Sequence, residues 1–181
     1  MYKTKQINPA ICTKKHRGLI LLVKKEVSAS RTIMTQTVFP NDVNNNDTLY
    51  GGRLLDWIDM LGGIVAKKHS RSPIVTVSID SLNFLSPINQ RDIVTLEAWI
   101  NFVGRTSMEI EVRVTSENPF TAETSKNCRA FLTYVAMDDQ GKPKIVPQLT
   151  LSTQEEKERF EKAKERRAER LRRRDLTATE W

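Results

Sequence analysis

Residues 44–63 read NNNDTLYGGRLLDWIDMLGG, and an amphipathic run continues from them to about residue 69. The Asn and Asp side chains favour turns and cap helices, so the stretch predicts a loop that leads into a helix near Gly51. At the helix start, the Gly pair lets a ligand approach backbone N–H groups that have no acceptor within the helix. Asp59 stands seven residues after Gly52, inside the predicted helix. Anion-favouring N–H groups beside a carboxylate outline an acyl-transfer or hydrolysis site.

The predicted helix runs from about residue 51 to residue 68, and most of it is expected to be buried. Its apolar positions cover more than half of the circumference: 54, 55, 57, 58, 61, 64 and 65. Gly62 and Gly63 each cost about 1 kcal/mol relative to Ala in a helix interior. We therefore expect a sheet or a symmetry mate to pack closely against the helix at this point.

Five segments rich in β-branched or alternating apolar residues predict strands. They are Thr32–Phe39, Ile74–Phe84, Ile93–Val103, Ser107–Thr115 and Cys128–Met137. The second segment alternates between an apolar and a polar face, with Val75, Val77 and Ile79 on one and Thr76, Ser78 and Asp80 on the other. A polar insert over 116–126 precedes the last strand. Short connections between consecutive strands predict an antiparallel sheet with the long helix on one face, which is an α+β fold.

A charge-rich helix is predicted near the C-terminus, from Glu155 to Arg174. Thr153 provides an N-cap, and acidic residues fill the first turn. Few apolar side chains interrupt this helix, so we expect most of it to be solvated and docked through Phe160. The arginine-rich segment 170–174 contains no aromatic residue for base stacking, which makes nucleic-acid or membrane contact the lesser interpretation.

The net charge of +7 lies mainly at the ends of the chain. Residues 1–31 carry eight Lys or Arg and one Glu, whereas residues 32–151 carry eleven basic and thirteen acidic residues. These counts predict a near-neutral folded domain over 28–150, a basic extension over 1–27, and a charged helix and tail over 151–181. The extension lacks clear periodicity, which predicts poor order. A tail that contacts an acidic partner and a start codon assigned too far upstream are the alternatives.

Cysteine usage and hydropathy bear on the compartment. Cys12 and Cys128 are far apart and fit no metal-ligand spacing, so we expect two free thiols in a reducing compartment and no metal. The longest apolar run near the start, residues 18–23, is too short for a membrane span and lacks a small-residue cleavage site. The cytoplasm is the expected location.

Five motifs in order resemble the hotdog-fold acyl-CoA thioesterases. They lie at 40–63, 75–80, 104–112, 131–141 and 146–147, and include Tyr-Gly-Gly, Gly-Arg-Thr-Ser and Val-Pro. Thr153-x-Glu-Glu-Lys and the Arg166–Arg167 pair are also similar to the cytosolic acyl-CoA hydrolase branch, so the resemblance covers about 28–174. It implies an antiparallel sheet wrapped around one long central helix and an acyl-CoA substrate. It also implies a homodimer, assembled as a trimer of dimers, with the active site between two chains.

The resemblance also implies roles for residues of the opening stretch. The N–H groups of Gly51 and Gly52 would polarise the thioester carbonyl, and Asp59 would act as general base or as nucleophile. Asn44 would position the water or the thioester across the interface, and Ser78 would help to orient the water. Each has a structural alternative: a tight turn for the Gly pair and for Asn44, an exposed helix position for Asp59, and an ordinary strand residue for Ser78.

Two positions depart from the family pattern. Tyr50 stands before the Gly pair, where many relatives have His and some of the cytosolic branch have Phe, so the resemblance implies that an ionising group at this position is dispensable. Thr48 replaces an acid or Asn that some relatives use, so the predicted catalysis depends more strongly on Asp59.

Coenzyme A carries phosphates, so basic groups are expected around the site. The candidates are Arg105, Thr106 and Ser107 in one turn, and Arg166 and Arg167 on the C-terminal helix, for which a solvated face is an equal alternative. No separate cofactor, nucleic acid or membrane partner is expected. A hotdog protein that binds acyl-CoA without useful turnover is the second hypothesis, and nucleic-acid binding through the basic ends is the third. The preferred acyl chain length does not follow from the sequence.

Overall fold

The computed structural model describes residues 24–177, in which a curved sheet packs on a long helix. In chain order the elements are β1 (Lys24–Glu26), β2 (Thr32–Thr37), α1 (Gly51–Ser70), β3 (Ile74–Phe84), β4 (Ile93–Val103), β5 (Ser107–Glu117), β6 (Thr124–Ala136), β7 (Gln148–Thr150) and α2 (Gln154–Thr177). Five strands form one antiparallel sheet in the order β2-β4-β5-β6-β3. The predicted α+β architecture, one short strand, a buried helix and four long strands, is confirmed.

Helix α1 covers the inner face of this sheet because one of its sides is apolar throughout. Ile58, Leu61 and Val65 are fully buried against inward-facing residues of β4, β5 and β6. The helix ends where Arg71 adopts the left-handed conformation and donates its N–H to the carbonyl of Lys67. The close packing expected at Gly62 comes from the sheet, since a side chain there would overlap the hydroxyl of Tyr134.

Five of the eleven residues of the polar insert predicted over 116–126 belong to strands, which corrects that boundary. Strand β5 continues to Glu117 and β6 begins at Thr124, so only a short hairpin loop remains. The carboxamide oxygen of Asn118 accepts from the N–H groups of Phe120 and Thr121 and holds the loop. Both hairpin arms are polar here, and sequence alternation therefore does not distinguish them from a loop.

The N-terminal boundary also differs from the prediction. Residues 24–26 form a parallel pair with β7, and Val27 is buried. The last four residues of the predicted extension 1–27 are therefore ordered, while the rest of it lies outside the described residues. A three-residue strand that contains Lys, Lys and Glu has no apolar pattern from which it could be predicted.

Helix α2 packs on the outer face of the sheet, opposite α1. The ring of Phe160 lies 5.0 Å from the ring of Phe102, which confirms the predicted docking contact, and Ala163 is fully buried. Most of α2 is exposed, as predicted, and one side of it is docked on the sheet. There, Arg166 donates to Glu109, whose side chain is only 1% exposed, and Arg170 pairs with Asp80. Neither helix in the described part of the chain is long and apolar enough to cross a membrane.

Stability is expected to fall below pH 6.5 because of His69 at the end of α1. This side chain is fully buried, and its Nε2 atom lies 2.8 Å from the carbonyl oxygen of Pro147. Burial lowers the pKa of His69, so near and below pH 6.5 the unfolded chain binds a proton that the folded chain does not. The free energy of unfolding should therefore decrease by up to about 1.4 kcal/mol per pH unit.

Urea unfolding at pH 7.5, 6.5 and 5.5 measures this loss, with His69→Gln as the matched variant. Glutamine keeps an N–H donor of similar reach but does not titrate. We expect wild type to lose more stability on acidification than the variant. Parallel losses in the two proteins would show that His69 is not responsible.

Candidate active site

Asp59 lies in the third turn of α1, at a cavity of about 370 Å³ between this helix and β3. The cavity is lined by Gly52, Leu55, Asp56, Asp59, Thr76 and Ile79. Thr76 donates a hydrogen bond of 2.9 Å to Oδ1 of Asp59, and the hydroxyl of Tyr134 donates to the same oxygen at 3.0 Å. Two hydroxyl groups thus hold Oδ1, which leaves Oδ2 as the oxygen that is available to a ligand in the cavity.

Gly51 and Gly52 are the first two residues of α1, where the N–H groups have no acceptor one turn earlier. The structure brings Gly52 and Asp59 into one cavity, two turns apart on the same helix. At position 52, a Cβ atom would lie 2.5 Å from the ring of Tyr50. Gly51 borders a second cavity of about 410 Å³ whose lining, which includes Leu54 and Phe84, is mostly apolar. The positive end of the helix therefore lies between a carboxylate and an apolar space.

Asn44 closes the loop before α1. Its carboxamide oxygen accepts from the N–H of Asn46 at 2.8 Å and from the hydroxyl of Thr48 at 3.2 Å, and its own N–H donates to the Thr48 carbonyl at 2.8 Å. None of these contacts uses its amide NH₂ group. Within one chain, Asn44 does not line the cavity that contains Asp59.

Ser78 does not face Asp59, and the alternation predicted for β3 is wrong at this point. The pairing of β3 with β6 shifts between Thr76 and Ser78, because Val77 is an extra residue in a β-bulge. Thr76 faces the helix, whereas Ser78 faces outward and donates to Asp80. Sequence reasoning missed Thr76. The predicted alternation placed Thr76 on the same face of β3 as Ser78. The sequence pattern was therefore compatible with either hydroxyl in the site.

Ser78 instead lines a cavity of about 490 Å³ on the outer face of the sheet, which it shares with Asp80, Arg166 and Arg170. The guanidinium of Arg166 lies 3.9 Å from the ring centroid of Phe131 and pairs with Glu109. Burial raises the pKa of Glu109, although Arg166 opposes that shift.

Arg167, next in the chain, lies 5.9 Å from the ring centroid of Phe102, so neither arginine belongs to a solvated face. The sheet separates both from Asp59 of the same chain. The predicted turn of Arg105, Thr106 and Ser107 lies at one end of the sheet. The carbonyl groups of Arg105 and Thr106 accept from Val146 and Ala136 at 3.1 and 3.0 Å. None of these five candidate coenzyme A residues lines the cavity that contains Asp59.

Cys128 is a free, buried cysteine in β6. Burial raises its pKa to about 11, which leaves the thiol protonated and unreactive near neutral pH. In the described part of the chain, no group of three or more His, Cys, Asp or Glu is placed to hold a metal ion. Cys12 lies outside that part.

Comparison with known proteins gives consistent matches. A family model for the thioesterase superfamily matches residues 46–122. YkhA of Bacillus subtilis, described as an uncharacterized acyl-CoA thioester hydrolase, is 45% identical over 127 residues, 70% of this chain and 74% of the relative. The cytosolic acyl coenzyme A thioester hydrolase of Mus musculus is 38% identical over 143 residues, 77% of this chain, which spans 37% of that relative's length. These matches define the protein as an enzyme, a thioester hydrolase.

Solved structures agree with this class. An apo-hexameric acyl-CoA thioesterase superposes with a TM-score of 0.82 at 44% identity, over 85% of this chain and 99% of that one. An acyl-CoA hydrolase from Staphylococcus aureus, solved with butyryl coenzyme A, gives a TM-score of 0.81 at 35% identity, over 86% of this chain and 95% of that one. The chain belongs to the hotdog-fold acyl-CoA thioesterase family.

Variants of the Staphylococcus aureus enzyme have also been solved. In them alanine replaces an aspartate, an asparagine 15 residues before it, or a threonine 17 residues after it. Asn44, Asp59 and Thr76 of this chain have the same spacing.

Proposed function

We propose that this protein hydrolyses acyl-CoA to a free carboxylic acid and coenzyme A. The observation that carries the proposal is the cavity in which a carboxylate, Asp59, faces the amino end of its own helix at Gly52. Oδ2 of Asp59 takes a proton from water, and the water oxygen adds to the thioester carbonyl carbon. The N–H groups of Gly51 and Gly52 stabilise the developing oxyanion. The C–S bond then breaks, and the coenzyme A thiolate leaves and receives the proton.

Direct attack by Asp59 is the alternative route. It forms an acyl anhydride on the carboxylate, which water then hydrolyses. Single turnover in ¹⁸O-labelled water separates the two routes. The base route places ¹⁸O only in the released acid, whereas hydrolysis of the anhydride can leave ¹⁸O in the Asp59 side chain.

Thr76 and Asn44 are proposed to complete the site. Thr76 fixes Oδ1 of Asp59 through its 2.9 Å hydrogen bond, and it replaces Ser78 as the hydroxyl-bearing strand residue of the site. Asn44 has its carboxamide oxygen occupied in its own loop, so its NH₂ group is the part that is available to a thioester or a water. The spacing shared with the Staphylococcus aureus variants supports the choice of Asn44, Asp59 and Thr76.

A homodimer is proposed to bring Asn44 of one chain to Asp59 of another. Strand β3 pairs with β6 on one side only, and Val75, Val77 and Ile79 are exposed along it. Met60 and Ile64 are exposed on the adjacent helix. An unpaired strand edge that carries exposed apolar side chains is suited to pairing with a second chain. The hexameric relative supports a further assembly as a trimer of dimers.

Arg105, Thr106, Ser107, Arg166 and Arg167 are proposed to contact the phosphates of coenzyme A. Guanidinium groups and backbone or hydroxyl donors suit these anions. Because the sheet separates α2 from Asp59, the arginines of α2 would serve the site of another protomer. The cytoplasm is the proposed location, supported by the relative named as a cytosolic hydrolase.

The test is release of free thiol from a panel of acyl-CoA substrates, from acetyl to palmitoyl, followed with a chromogenic thiol reagent. We expect saturable turnover with at least one chain length, and the panel also identifies the preferred one. Tight binding of acyl-CoA without thiol release would instead support the second hypothesis, a binding protein.

A further inference from the structure

Tyr134 lies beneath the proposed active site, near the C-terminal end of β6. Its side chain is fully buried, and its hydroxyl is 3.0 Å from Oδ1 of Asp59 and 3.0 Å from the carbonyl oxygen of the same residue. The hydroxyl has one proton to donate. The carbonyl oxygen already accepts from the helix, four residues on, and a charged oxygen is the stronger acceptor. The carboxylate is therefore the preferred partner.

Helix α1 leaves space for this hydroxyl at Gly62, which has no side chain. A Cβ atom at position 62 would overlap the hydroxyl oxygen of Tyr134, and it would lie 3.0 Å from two ring carbons. A Cβ atom at position 63 would instead lie at an ordinary 3.7 Å from the Ile74 side chain. Only the first glycine is thus required by packing, and what it accommodates is the contact between Tyr134 and Asp59.

We propose that Tyr134 is a positioning residue, whose buried hydroxyl fixes Oδ1 of Asp59 and so presents Oδ2 to the substrate cavity. The inference rests on the proposed function of Asp59. Thr76 holds Oδ1 from β3 and Tyr134 holds it from β6, so the carboxylate is constrained from two strands. Burial, with the charge of Asp59, raises the pKa of Tyr134, so the phenol stays a neutral donor near neutral pH.

Few titratable groups face Asp59 in the described chain. Helix α1 contributes Asp56 to the same cavity, where it pairs with Arg53 at 3.4 Å. Strand β3 contributes Thr76 and Ile79, which do not titrate, and β6 contributes Tyr134. A variant that disturbs this carboxylate is therefore expected to change the dependence of the rate on pH.

The first test is Tyr134→Phe, assayed by thiol release from an acyl-CoA between pH 4 and 9. Loss of a hydrogen bond to the carboxylate should lower kcat about tenfold or more, leave KM within about twofold, and move the acidic limb of kcat/KM up by about one pH unit. A merely structural role would lower the unfolding temperature and leave the limb in place. Circular dichroism and light scattering check that fold and assembly are retained.

The second test compares Gly62→Ala with its matched control, Gly63→Ala. The first substitution should displace the Tyr134 hydroxyl and reproduce the shift of the acidic limb, whereas the second should leave the limb unchanged. In the Tyr134→Phe background, Gly62→Ala should add no further shift, because the displaced contact is already absent.

An unmoved acidic limb in both Tyr134→Phe and Gly62→Ala, with kcat within twofold of wild type, would overturn the inference. Asp59→Asn in the same assay separates this result from failure of the proposed function. If that variant is inactive while the limb of Tyr134→Phe is unmoved, only the role of Tyr134 is wrong. If that variant is active, the proposed role of Asp59 itself is wrong.

Discussion

Asp59→Asn is expected to lower kcat for acyl-CoA hydrolysis by roughly 10³-fold, while the chain still folds and assembles. A carboxamide cannot take a proton from water or attack a carbonyl, and positioned general bases contribute 10²–10⁴-fold to rate. The carboxamide oxygen can still accept the hydrogen bonds from Thr76 and Tyr134, so the helix keeps its contacts with the sheet. Thiol release measures the rate, and circular dichroism measures the fold.

Asp56→Asn is the matched control for this prediction. Asp56 lines the same cavity from the same helix, but it is an exposed residue that pairs with Arg53. We expect turnover within about twofold of wild type, since exposed ion pairs contribute little. Equal losses in the two variants would indicate that the negative charge of the cavity matters rather than one carboxylate. Near wild-type turnover of Asp59→Asn would contradict the assignment directly.

Val77→Lys is expected to abolish assembly and activity together. Val77 is 58% exposed in the single chain and lies in the bulge of β3, at the edge proposed to pair with a second copy. Within one chain, a lysine there is a surface substitution of small cost. In a symmetric interface it would bring two positive charges into an apolar contact, at a cost of several kcal/mol. If the proposed dimer is correct, loss of the second chain removes Asn44 from Asp59.

Light scattering and thiol release on the same samples test this prediction, with Val77→Thr as the matched control. Threonine keeps the β-branched shape and adds no charge, so we expect it to assemble and turn over like wild type. An assembled, active Val77→Lys protein would show that β3 is not the interface. A monomeric variant with full activity would show that one chain contains the complete site.

The main elements could be predicted from the sequence because their patterns are long. Eleven-residue strands such as Ile93–Val103 and the 20-residue helix α1 are long enough to show the periodic spacing of the residues that they bury. The short strand Lys24–Glu26 has none, because its order comes from backbone pairing with β7. The outer arms of the β5–β6 hairpin likewise lack apolar residues, so no apolar pattern marks them as strands.

The site could be predicted only in part. The Gly pair and Asp59 share one helix, so their proximity follows from helical spacing, and the structure places Gly52 and Asp59 in one cavity. The sequence could not predict that Thr76 and not Ser78 faces Asp59. The reason is the bulge at Val77, which depends on how β3 pairs with β6. Tyr134 is distant in sequence from Asp59, and an aromatic residue in a strand is normally a core residue. The burial of Glu109 under α2 could not be predicted either, because in the alternating pattern of β5 this residue occupies an ordinary polar position.

The bulge at Val77 has a consequence for how this sequence tolerates changes in length. Two residues of β3 stand opposite one residue of β6 there, so Thr76 faces α1 while Ser78, two residues on, faces outward. Loss of Val77 would keep both orientations, because Thr76 and Ser78 would then alternate as neighbours, whereas a residue added beside them would turn either Thr76 away from Asp59 or Asp80 away from Arg170. Related sequences should therefore tolerate a one-residue deletion at position 77 better than an insertion there, and they should vary in length in the hairpin loop at 118–123, which touches neither contact.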